Sequence, residues 1–225
     1  MLVFLSNSQG RARLSAAFSQ RNPNLEQGET RHVQGKHAQI DPNDALVLFL
    51  DLQTGIVELT RTNPLERLRK SVAALGKLAT LFGIPVLVSA VREQGANAIM
   101  LPEIRDTVGD YTIHYRSTCD SFQNVHVRDL IRSTGRHTIL LSGVATELAV
   151  QLPALSASDE GYRAFVVVDA CGGMSERTER AALDRIYQAG GSSISVMTLA
   201  GEIAGDLREP RGQQAVGILF DMAKP

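Results

Sequence analysis

The sequence predicts an α/β fold, a three-layer α/β/α sandwich around a parallel six-stranded sheet, and three observations carry that expectation. Short apolar runs alternate with helical patterns from Asp44 onward, as in strand–helix–strand units whose helices cover both faces of a sheet. The first run, Ala45-Leu46-Val47-Leu48-Phe49-Leu50, has no polar face, which suits a strand buried on both sides. Asp51, Arg116 and Gly143 then fall just past the carboxyl ends of such runs, where open parallel sheets bind their ligands.

The elements follow in order. After the strand at 45–50, Asn63 and Pro64 open a helix in which Leu65, Leu68, Val72, Leu75, Ala79 and Phe82 recur at steps of three and four. Gly83 and Pro85 close it. Further strands are expected at 86–91, 111–115, 138–142, 164–169 and 192–196, separated by helices near 124–134, 146–160 and 177–189. Right-handed crossovers make the sandwich the simplest topology. No strand is followed by a glycine-rich dinucleotide fingerprint or a P-loop, so no nucleotide cofactor is expected.

A chain of 225 residues can bury one large core. Residues 1–39 are rich in Ser, Gln, Asn and Arg and read as a flexible extension, residues 40–208 as the domain, and 209–225 as a C-terminal tail. In that tail, Ala215-Val216-Gly217-Ile218-Leu219-Phe220 needs a covering surface. Either a second subunit or the chain's own core supplies it, and the expectation is a homo-oligomer. A net charge of −1 argues against a nucleic-acid surface and for a small-molecule or protein partner, and a small-molecule substrate or ligand is expected. The opening run Met1–Leu5 is too short for a signal-peptide core or a membrane span. Cys119 and Cys171, the two cysteines, have no paired spacing and read as free thiols of a reducing compartment, the cytoplasm.

Several separated motifs across 43–208 resemble the isochorismatase-like cysteine hydrolases. The run 44–53 ending in Asp51-Leu52-Gln53 resembles the family's first strand with its acidic residue, and Gly83-Ile84-Pro85-Val86 the entry to the second. Tyr115-Arg116-Ser117-Thr118-Cys119-Asp120 resembles the family's lysine stretch with arginine in place of lysine, and 160–171 with 197–206 resemble its closing elements. Gly143-Val144-Ala145-Thr146-Glu147-Leu148-Ala149-Val150 resembles the nucleophile turn, whose register puts Ala149 where the family has cysteine.

The resemblance implies roles. Asp51 matches the acid that takes the thiol proton, and Arg116 the cation that holds it; the guanidinium positions groups but does not shuttle protons. A cis peptide is implied at Val144–Ala145, with the amides of Ala145 and Ala149 as an oxyanion hole. Thr146 is expected to cap the helix that follows. Cys119, three residues after Arg116, is a candidate surrogate thiol, with Cys171 of lower standing; an idle free thiol is the plainer reading of either. No metal is expected: residues 51–113 contain no histidine, unlike the metal-holding nicotinamidase-like relatives, and His114, His126 and His137 have no site spacing. Three functions compete. The chain is an isochorismatase-family hydrolase of C–N amide or related bonds, silenced or altered at Ala149; or a cysteine-independent vinyl-ether hydrolase with Asp51 as general acid; or a non-catalytic binding relative.

Overall fold

A computed structural model describes residues 39–92 and 95–224; of the expected extension, all but Gln39 lies outside the described residues. Strand β1 (Ala45–Leu50) is buried at every position. Its residues alternate between two cores: Ala45, Val47 and Phe49 face one, and Leu46, Leu48 and Leu50 the other. That division is the physical content of a run without a polar face, because successive strand side chains point to opposite sides.

Helices α1 (Thr54–Val57) and α2 (Leu65–Phe82) follow, then β2 (Val86–Val91), α3 (Pro102–Val108), β3 (Ile113–Arg116), α4 (Val125–Ser133) and β4 (Thr138–Gly143). A π-helical turn at Thr146–Val150 leads into α5 (Gln151–Asp159), β5 (Arg163–Val167), α6 (Glu176–Gln188), β6 (Ser192–Ile194), α7 (Val196–Ile203) and α8 (Pro210–Ala223). The six strands are all parallel, in the order β3-β2-β1-β4-β5-β6. Chain order reverses between β1 and β4, which opens a crevice beyond their carboxyl ends. Residues of α2, α3, α7 and α8 pack on the face with Phe49, and residues of α4, α5 and α6 on the face with Leu48. No helix among the described residues is long and apolar enough to cross a membrane.

The stripe of α2 is buried at Leu68, Val72, Leu75, Ala79 and Phe82, and Gly83 ends the helix in the left-handed region at φ 68°. Two details depart from expectation, the role of Asn63 and the ends of β5 and β6. Asn63 caps nothing: its Nδ2 donates to the carbonyls of Asp169 and Cys171, at 2.7 and 2.9 Å. Strand β5 stops at Val167, where a 3₁₀ turn takes over, and β6 yields after Ile194 because Ser195 caps α7 by accepting from the Thr198 amide. The tail is helical and docks on its own chain through Ala215, Ile218, Leu219 and Met222, while Phe220 stays 69% exposed.

Glycine matters most at the β1–β4 seam, where Leu50 pairs with Gly143. A Cβ on Gly143 would lie 2.4 Å from the Leu50 carbonyl oxygen, a backbone atom that cannot swing away. Gly143→Ala is expected to cost about 3 kcal/mol of unfolding free energy. Gly217 is exposed within α8, and a Cβ there would meet nothing within 4 Å, so Gly217→Ala is expected to gain about 0.5–1 kcal/mol. Urea midpoints moving in opposite directions for the two variants would bear this out.

Candidate active site

Asp51 is the first residue past β1 and takes a left-handed backbone, φ 50°, the one non-glycine residue among those described to do so. Aspartate tolerates that region better than most side chains. The bend is held at both ends: the Asp51 amide donates to the Ser89 carbonyl at 3.1 Å, and its Oδ1 accepts from the Val91 amide at 3.0 Å.

Arg116 ends β3, two strands away, in register with Val91. Its Nη2 donates to Asp51 Oδ2 at 2.6 Å, and its Nη1 to the Thr118 carbonyl at 2.6 Å. The guanidinium side chain is wholly buried and the carboxylate 9% exposed. Burial raises the Asp51 carboxyl above its ordinary value, and the charge and hydrogen bond of Arg116 pull it only part of the way back. The position of both residues at strand ends implies these two opposing effects, but not which of them prevails.

On the other side of β1, the amide of Val144 donates to the Leu50 carbonyl at 3.3 Å, so the turn after β4 lies against the Asp51 bend. The Val144–Ala145 peptide is cis. Ala149 is buried, 3% exposed, in the cluster that includes Leu50 and Phe122. The two amides implied as an oxyanion hole differ: the Ala149 amide donates to the Ala145 carbonyl at 3.0 Å, whereas the Ala145 amide has no acceptor among the described residues. Pro153 has no N–H to offer the Ala149 carbonyl, so an ordinary α-ladder fails here, and the segment expected to be helical from 146 opens as a π turn.

Thr146 does not cap that helix. Its hydroxyl donates to Glu179 Oε1 at 2.7 Å, and its amide to the Gly172 carbonyl at 3.0 Å. Glu147 accepts from the Met174 amide and the Thr178 hydroxyl, at 2.8 and 2.6 Å. These braces from α6 and the segment before it, Gly172 and Glu179 above all, are invisible in the sequence, because partners about thirty positions downstream carry no local signal.

The remaining candidates fall outside the buried pair. Cys119 is exposed, one residue beyond the carbonyl that Arg116 holds. Cys171 is 1% exposed, and burial pushes its thiol far above the ordinary range. One equivalent of iodoacetamide is therefore expected to label Cys119 in the native protein, with Cys171 reacting only in denaturant; peptide mass mapping reads both. The rings of His114 and His126 lie 5.3 Å apart on β3 and α4, but no group of three or more His, Cys, Asp or Glu among the described residues could hold a metal ion.

A family model, the isochorismatase domain, matches residues 45–198. The Escherichia coli K12 protein named Probable hydrolase YcaC is 34% identical over 173 residues, which are 76% of this chain and 83% of that protein. The crystal structure of the E. coli YcaC gene product, described as an octameric hydrolase of unknown specificity, superposes with a TM-score of 0.76 at 33% identity, over 83% of this chain and 91% of that one. YcaC from Pseudomonas aeruginosa, solved with hexane-2,5-diol and covalent acrylamide, gives a TM-score of 0.77 at 28% identity, over 83% and 95%.

Proposed function

The chain belongs to the isochorismatase family, with that family's hydrolase fold, and from this premise we propose that its site binds a small carbonyl compound, an amide or a related C–N species, without covalent turnover. The observation that supports this reading is the buried Asp51–Arg116 pair at 2.6 Å, set beside the turn in which Ala149, on the resemblance of 143–150 to the family's nucleophile turn, stands in for the cysteine. Each group left in place has work in binding. The uncommitted Ala145 amide can donate to a carbonyl oxygen, and the Asp51 carboxylate can accept from an amide N–H. Arg116 fixes the carboxylate's direction and commits both of its terminal nitrogens inside the protein. Ligand-observed NMR with acrylamide and propionamide is expected to report binding, and an ammonia assay on the same amides no release. Steady ammonia release by this chain would overturn the reading.

We also infer that the chain works as a homo-oligomer, as the octameric E. coli YcaC does. Leu59, Leu148 and Met174 are each about half exposed, and Phe220 on α8 is 69% exposed. Apolar side chains so exposed favour a covering surface. Sedimentation velocity at micromolar concentration is expected to give a species several times the 24.4 kDa of one chain. A clean monomer would reject it.

A further inference from the structure

A cleft of about 790 Å³ opens where the first turns of α2 meet the end of β5, the start of α6 and the last residues of α8. It is not the site described above: neither Asp51, Arg116 nor any residue of the turn 143–150 lines it. The segment between the two separates them, since Gly172 pairs with Gly143 while its neighbours Asp169 and Cys171 face the cleft.

Charge is distributed unevenly over its wall. Asp169 is partly buried, and among the described residues its carboxylate accepts from one other residue, the Val196 amide, at 2.9 Å to Oδ1. No cationic side chain among the described residues pairs with that carboxylate, and burial pushes it toward its protonated form. Across the cleft, Lys70 already serves Glu66 at 3.0 Å and the Lys224 carbonyl at 2.9 Å. Arg67, on the same helix face and exposed, has no partner among the described residues. The cleft thus offers an uncompensated carboxylate inside and an uncommitted guanidinium at its rim. A buried charge is costly until paired, and a planar guanidinium favours carboxylates.

We propose that this cleft is a second small-molecule site, taking a zwitterion whose ammonium group meets Asp169 and whose carboxylate meets Arg67, an amino acid in the broad sense. The volume suits a small ligand. Glu179 lines the cleft and also holds the Thr146 hydroxyl, so an occupant there sits one side chain from the braces of the turn.

Calorimetric titration of the full chain with glycine, 4-aminobutanoate and 6-aminohexanoate tests it, with butylamine and butanoate as single-charge controls. At least one zwitterion is expected to bind 10-fold or more tightly than both controls. Asp169→Asn keeps an acceptor for the Val196 amide and is expected to weaken the zwitterion about 10-fold while leaving butanoate unchanged. Arg67→Gln, at an exposed position, is expected to do the same while leaving butylamine unchanged. Binding of no zwitterion at millimolar concentration, equal binding of the controls, or full affinity in both variants would each overturn the proposal.

Discussion

Ala149→Cys is expected to give this chain amidase activity, with ammonia release rising about 10³-fold or more above the parent. The residue is buried in the turn beside the Asp51 bend, and the change adds one sulfur atom to an existing methyl. The thiol would give its proton to Asp51, and the resulting thiolate would attack the amide carbon while the Ala145 amide donates to the developing oxyanion. Collapse of that intermediate returns the proton to the departing nitrogen as ammonia and leaves a thioester, which water hydrolyses to the acid, so that amide and water become acid and ammonia. A carboxyl raised above its ordinary value is a stronger base, which narrows its gap to a thiol. The activity is therefore expected to climb with pH through a limb lying above the ordinary aspartate range. Acrylamide should alkylate the variant at residue 149, and Asp51→Asn in the same background should abolish ammonia release. Equal rates in parent and Ala149→Cys would move the chemistry elsewhere. Cleavage of a vinyl ether by both forms would point to Asp51 as a general acid.

Much of this architecture is legible in the sequence because the signals are local. An apolar run with no polar face can be satisfied only between two helix layers, and the helix at 65–82 announces itself by its period and its terminal glycine. The candidate site is legible for a different reason. Its residues stand at strand ends, and the reversal of strand order between β1 and β4 gathers those ends around one crevice. The details that escape depend on partners distant in the chain. Asn63 has the local signature of a helix opening, but the carbonyls of Asp169 and Cys171, more than a hundred positions away, claim its amide. Thr146 likewise turns from the helix to Glu179. The short helices α1 and α3 lack the length for a period to show, and α8 reads equally as a tail, since an apolar run does not say whose surface it covers.

Removing either half of the Asp51–Arg116 pair is expected to destabilise the fold by about 3–5 kcal/mol, because each partner leaves the other buried without compensation. The two losses should differ in how they respond to acid. In Arg116→Met the stranded carboxyl can take up a proton. Its folded pKa then stands further above its unfolded value, so the native state holds a proton that the unfolded chain has released. The stability associated with that proton is fully present below the unfolded pKa and is lost as pH rises through the folded one. The deficit of Arg116→Met relative to the parent is therefore expected to be largest near pH 7 and to shrink toward pH 4. In Asp51→Ala the stranded group is a guanidinium with no exposed surface, and it cannot shed its charge at any pH that the fold survives. Its deficit should persist in acid, with a further contribution from placing alanine at φ 50°. Asp51→Asn separates these causes, since asparagine suits the left-handed bend and keeps an acceptor for Arg116. The double variant Asp51→Asn with Arg116→Met should recover much of the single Arg116→Met loss at pH 7, the charge having been removed from both sides. Urea unfolding at pH 4, 5.5 and 7 measures all four, and a pH-independent deficit in Arg116→Met would show that Asp51 does not titrate in the buried site.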